Sequence, residues 1–171
     1  MNHEPAPDPT DTFGLLEIAN EAYKFLSVFL KIYDKIKQGF FAGKEQIIPE
    51  TEQALIDINT CTQQLSYYLN LLESKIPLLV ERPTKIADVE MEYCWALQSY
   101  LCDLLNMMNS YRHVLQTRIA SYKKFSYTRA WKSWWDYRRC ERHRMRSGKD
   151  LMHAYSQYNI GLHAVEFTSR P

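Results

Sequence analysis

From Leu15 onward, apolar residues recur at alternating spacings of four and three: Leu15, Ala19, Ala22, Leu26, Phe29, Tyr33, Ile36. That spacing keeps one face of a helix apolar, so it predicts a first helix with a continuous seam. Leu16, Ile18, Phe25, Val28, Leu30 and Ile32 widen the seam, which predicts burial on more than one side. Asp11 or Thr12 can cap the start by accepting a free backbone N–H, and "GFFAG" (39–43) should end the helix. A second seam runs Ile48, Thr51, Leu55, Ile58, Thr62, Leu65, Leu69, Leu72. It opens at "IIPETEQ", where Pro49 suits a first turn and Glu50 and Glu52 favour the positive end of the helix dipole. "SKIPLLVERP" (74–83), with two prolines, reads as a loop.

The third helix, capped by Thr84 or Asp88, carries the longest seam: Cys94, Leu97, Leu101, Leu104, Met108, Tyr111, Leu115, Arg118, Tyr122, Phe125. No proline lies between Pro83 and Pro171, so the turns of the second half fall to "KKFSYT" (123–128) and "RSGKD" (146–150). In the last segment Leu151, Tyr155, Tyr158, Leu162 and Val165 repeat the four-three spacing. Residues 138–149 have almost no apolar seam. Either a solvated helix spans them or the helix breaks near Gly148. Long amphipathic segments joined by short loops predict an all-α fold, an antiparallel bundle of four to five helices. A continuous third helix would instead favour an elongated coiled coil. The expected organisation is an N-terminal arm over 1–11, disordered because it is acidic and rich in proline, one helical domain over 12–167, and a tail over 168–171.

Composition agrees with one globular helical domain. Of the 171 residues 46 % are hydrophobic, with only 5 Gly and 7 Pro. The overall charge of +1 conceals an asymmetry. Between Arg112 and Lys149 there are 12 Lys and Arg against two acids, Asp136 and Glu141; the remaining chain holds nine bases and 18 acids. Two faces with different partners, or a basic helix packed along acidic ones, would both produce it. Cys61, Cys94, Cys102 and Cys140 are scattered without a disulfide pattern, and no apolar run reaches the ~20 residues of a membrane span. An intracellular, cytoplasmic protein with reduced thiols is expected, peripheral at membranes if it meets them at all.

Catalytic signatures are missing from the pattern. There is no G-x-S-x-G, no glycine-rich phosphate loop and no H-E-x-x-H. Cys140 and His143 are spaced C-x-x-H, but no second ligand pair lies near them. Asp57, Asp88, Glu90 and Glu92 read as solvating charge, and Cys94, Cys102, Met107 and Met108 as core fillers. The chain is therefore read as non-enzymatic, with no cofactor, metal or small-molecule substrate.

What stands out is "RAWKSWWDYRRCERHRMRSGK" (129–149): three tryptophans in five residues, then five arginines in nine. Trp131, Trp134 and Trp135 form an i, i+3, i+4 stripe, read as a plug for one end of the bundle. Arg138, Arg139, Arg142, Arg144, Arg146 and Lys149 are the expected contact charges, with Lys123, Lys124, Arg129 and Lys132 extending the patch. An anionic membrane surface ranks first as the partner of those charges, and nucleic acid after it.

"DTFGLLEIANEAYKFLSVFLKIYDKIKQ", "EQIIPETEQALIDINTCTQQLSYYLNLL", a long third helix and "AWKSWWDYRRCERHRMRSGKDLMHAYSQYNIGLHAV", in that order, resemble the HeLo and HeLo-like N-terminal domains of fungal STAND (NLR-like) and ankyrin-repeat proteins. The resemblance covers roughly 12–166. It implies a signalling module that oligomerises and, in some members, attacks membranes through its first helix; here that helix carries Glu17, Glu21, Lys24 and Lys31. A second stretch, "LQSYLCDLLNMMNSYRHVLQTRIASYKKFSYTRAWKSWW", is similar to the second helix of sorting-nexin BAR domains, which implies a coiled-coil dimer on curved anionic membranes. The function expected is an interaction and signalling module working by self-association or a protein partner and by contact with an anionic membrane. A BAR-like scaffold is the alternative, and a nucleic-acid binder comes third.

Overall fold

A computed structural model describes residues 13–38, 44–81, 83–124 and 127–168. They form four helices: α1 (Leu15–Gln38), α2 (Lys44–Glu81), α3 (Ala87–Lys124) and α4 (Tyr127–Thr168). The fold is all-α, with four helices and no fifth among the described residues. The expected arm 1–11, the caps Asp11 and Thr12 and the "GFFAG" stop lie outside them.

α1 starts at Gly14, whose carbonyl accepts the Ile18 N–H at 3.2 Å. Gly14 has φ +68°, a left-handed conformation that glycine adopts without steric cost. Leu15, Ala19, Ala22, Phe29 and Ile36 are buried as the spacing requires. α3 is capped at Ile86, two residues away from either expected position. The Ile86 carbonyl accepts the Glu90 N–H, and the Thr84 carbonyl accepts the Ala87 N–H.

Two breaks expected from the sequence are not breaks. α2 continues through Pro77 to Glu81. Proline removes one N–H and crowds the carbonyl four residues earlier, a cost of about 3 kcal/mol. Burial of Leu72 and Leu79 on either side offsets it, at roughly 1.5–3 kcal/mol for each leucine. At its other end α2 begins at Lys44, so Pro49 sits exposed inside the helix rather than in its first turn. α4 runs unbroken through "RSGKD". Its inner seam over that stretch is built from small and polar residues. Ser133 meets the Thr117 hydroxyl at 2.9 Å, Cys140 meets Ser110 at 3.2 Å, and Gly148 lies against the ring of Tyr100. Small side chains let the two backbones approach, so packing continues where apolar bulk is missing.

The same pairs show direction. Thr117 faces Ser133, Ser110 faces Cys140, Tyr93 stacks on Tyr158 at 4.9 Å, and Ile86 and Val89 face Gly161. Numbers rise on α3 as they fall on α4, so the two form an antiparallel hairpin along most of their length. α2 lies along the other flank of α3, joined by Arg112–Asn59 and Gln98–Glu73 contacts. α1 covers the seam of α3 and meets α4 through rings. Phe29 and Tyr33 pack on Tyr111 of α3 and Tyr137 of α4 at 5.3–6.5 Å. Tyr111 and Tyr137 are themselves 5.0 Å apart. Each such pair adds about 0.5–1.5 kcal/mol beyond its burial, which makes this three-helix node a fixed point of the fold. Burial holds both phenols well above the ordinary tyrosine range.

Candidate functional site

The inner seam determines what α4 offers to solvent. Ser133, Tyr137, Ser147, Leu151, Ala154, Tyr158 and Leu162 are buried, with Cys140 and Arg144 half-buried between them. At 100° per residue, the positions opposite that seam are 131, 135, 138, 142, 146 and 149. They are Trp131, Trp135, Arg138, Arg142, Arg146 and Lys149, and every one is exposed. The stripe extends roughly 27 Å along the helix at 1.5 Å per residue. Arg139 and Lys132 are exposed on its flank, and Arg129 is exposed at the start of α4 in phase with the inner seam.

Arg144 does not belong to it. It points back toward α3 beside the buried Tyr100 phenol, whose pKa burial raises and Arg144 lowers through its charge and a hydrogen bond. Its position in the inner seam, a heptad after Tyr137 and before Leu151, leaves no other orientation. Lys123 and Lys124 end α3, and their side chains lie outside the described residues.

The tryptophans are a second correction. Trp134 packs on Tyr137 at 5.5 Å, but Trp131 is 65 % exposed and Trp135 51 %. They do not plug the bundle. With Tyr137 fixed inward, positions 131 and 135 are turned to the far side, where the two rings meet edge to face at 6.0 Å. Ile160 is exposed on the same side, while Met145 and Met152 are exposed on the flank toward α1, where the Tyr23 hydroxyl meets the Met152 sulfur at 3.6 Å. Ile160 was legible in principle, since it continues the stripe's four-three spacing, but no run of apolar neighbours marks it.

Arg138 donates to Glu141 at 2.8 Å within its own helix. Such an exposed i, i+3 pair is worth about 0.3–0.5 kcal/mol and leaves the guanidinium available. Arg139, Arg142, Arg146 and Lys149 have no ion-pair partner among the described residues. The basic stretch is thus not neutralised by the acidic helices.

The remaining candidates separate. Asp57, Asp88 and Glu92 are exposed, as solvating charges are. Glu90 is not: it is 2 % exposed, and its carboxylate accepts from the Thr84 hydroxyl at 3.1 Å and the Tyr158 hydroxyl at 3.4 Å. It ties the start of α3 to the end of α4. Cys94 is buried, and desolvation together with the Glu90 charge pushes its thiol up to about 11, which makes it a poor nucleophile. His143 is exposed while Cys140 turns to Ser110, so the C-x-x-H pair does not converge. Among the described residues no three His, Cys, Asp or Glu side chains gather as a metal site, and no helix is long and apolar enough to cross a membrane. No family model matches the chain, and neither does a curated protein or a solved structure.

Proposed function

We propose that this chain is a non-enzymatic helical interaction module that docks on anionic membrane through the outer face of α4. One observation carries the reading. Two exposed tryptophans and four bases occupy a single stripe, and among the described residues only Arg138 of the four meets an acid, Glu141 of its own helix. Tryptophan favours the lipid–water boundary, and each Lys or Arg near an anionic leaflet contributes about 1 kcal/mol. Arg138, Arg142, Arg146 and Lys149 together then supply roughly 4 kcal/mol, before the flanking charges add to it. Membrane is favoured over nucleic acid because the exposed Trp131 and Trp135 rings head the stripe and the exposed Ile160 continues it. Lipid rewards those side chains; a phosphate backbone does not.

Co-sedimentation with vesicles tests this. Anionic vesicles should retain the chain at about 50 mM salt and release most of it at about 300 mM, where the Debye length is roughly halved. Purely zwitterionic vesicles should retain little. Equal retention on both lipids, or release from neither by salt, would refute the reading.

A further inference from the structure

The middle of α4 is basic in a particular way. All five Lys or Arg positions between Trp135 and Ser147 are arginines, whereas the rest of the chain uses eleven lysines and five arginines. A diffuse anionic field rewards lysine and arginine alike. The guanidinium adds a planar fork of donors, which grips one phosphate through two parallel hydrogen bonds. Arg139 and Arg146 stand one turn to either side of Arg142, at spacings that put Cβ atoms roughly 5–6 Å apart. All three are exposed, and none meets an acid among the described residues. Like charges at these spacings oppose the helix that carries them. An anion with several oxygens on one centre relieves the repulsion by bridging two guanidiniums.

Charge and depth identify that anion. The phosphodiester of a serine headgroup has one charge and two free oxygens on phosphorus. A phosphomonoester has three free oxygens and a charge of about −1.5 to −2 at neutral pH, enough for two guanidiniums at once. Trp131 and Trp135 share the stripe with the arginines, so on a bilayer the indoles and guanidiniums reach one level. Tryptophan rests at the headgroup boundary. The phosphate esterified to glycerol lies at that level, and phosphates carried on an inositol ring stand farther out. The stripe is also the outer face of one helix, opposite the side that meets α3, and offers no walls to close around a bulky headgroup.

We infer, resting on the membrane reading above, that Arg139, Arg142 and Arg146 recognise a lipid phosphomonoester at the depth of the glycerol backbone, which makes phosphatidic acid the preferred lipid. Vesicle binding by the full chain tests this, with phosphatidic acid, phosphatidylserine or phosphatidylinositol bisphosphate in neutral lipid, adjusted to equal zeta potential. Wild type should bind the phosphatidic acid vesicles at least about tenfold more tightly than either of the others. Arg139→Lys, Arg142→Lys and Arg146→Lys combined keep every charge, and lysine is close to arginine in helix propensity, so the fold should hold by circular dichroism. That variant should bind phosphatidylserine vesicles like wild type and lose the preference. Binding to no anionic vesicle would overturn the membrane reading and this inference with it. Equal binding to phosphatidic acid and phosphatidylserine, or a preference that the lysine variant keeps, would leave the membrane reading standing and overturn this inference alone. So would tighter binding to the bisphosphate vesicles, or release from phosphatidic acid by free glycerol 3-phosphate at constant ionic strength.

Discussion

Gly148→Ala tests whether α4 is one helix seated on α3. In a helix interior glycine is about 1 kcal/mol less favourable than alanine, because it loses more backbone freedom on folding. The new methyl must also fit. At Gly148 a Cβ would stand 3.4 and 3.8 Å from the Tyr100 ring, ordinary van der Waals contact. The substitution should therefore stabilise the protein by roughly 0.5–1 kcal/mol. For a domain of this size that raises the thermal midpoint by about 1–4 °C. Gly161 is the matched contrast on the same helix. There a Cβ would meet Val89 at 3.1 Å and Ile86 at 3.3 Å. Ile86 caps α3 and has little room to retreat. Overpacking of this kind costs about 1–3 kcal/mol, so Gly161→Ala should forfeit the propensity gain and lose roughly 1 kcal/mol net. Thermal and denaturant unfolding, followed by circular dichroism, read both values. A destabilised Gly148→Ala would mean that α4 breaks or passes closer to α3 at that point. A Gly161→Ala gain equal to that of Gly148→Ala would mean that the register between α3 and α4 is wrong.

Other consequences are open to test. Tyr137→Ala should cost about 3–5 kcal/mol, since that ring packs on Phe29, Tyr33, Tyr111 and Trp134; urea midpoints decide it. Glu90→Ala should cost roughly 2–3 kcal/mol by stranding the buried Tyr158 hydroxyl and the half-buried Thr84 hydroxyl, and proteolysis should then begin near the start of α3 or the end of α4. Stability should fall in alkali. Cys94, raised to about 11 from an ordinary 9.0, keeps its proton in the fold, so its contribution is full below pH 9 and lost as pH rises through 11. The buried tyrosines act with the same sign, and Cys94→Ala should flatten the decline measured by denaturant unfolding between pH 9 and 11.

The legible parts of the fold were those written in large apolar residues. The seams of α1 and α3 appear at their expected positions because Leu15, Phe29, Leu97, Leu104 and Leu115 can go nowhere but inward. The α4 seam between 138 and 149 was illegible because Cys140, Arg144, Ser147 and Gly148 carry no hydrophobic signal. Their fitness depends on Ser110 and Tyr100, which only the pairing of α3 with α4 brings near. Pro77 misled for a related reason, since local propensity predicts a break and the buried Leu72 and Leu79 override it. The basic residues were identifiable as a group, but their sorting into an outward stripe and an inward Arg144 required the rotational phase of α4. Tyr137 sets that phase, and it also turns Trp131 and Trp135 from expected core to surface.

The central claim is that the outer face of α4 is a working contact surface rather than solvated charge, and a paired charge reversal on anionic vesicles tests it most directly. Arg142→Glu with Arg146→Glu alters the stripe, while Lys35→Glu with Lys37→Glu makes the same change in net charge at the end of α1. All four positions are exposed, so folding stability should move by no more than about 0.5 kcal/mol in either variant. Loss of two contact bases at about 1 kcal/mol each predicts a vesicle affinity at least roughly 30-fold weaker for the α4 variant. The α1 variant should stay within about threefold of wild type. Equal weakening of both would mean that only net charge matters, and an unaffected α4 variant would mean that the stripe makes no contact with the membrane.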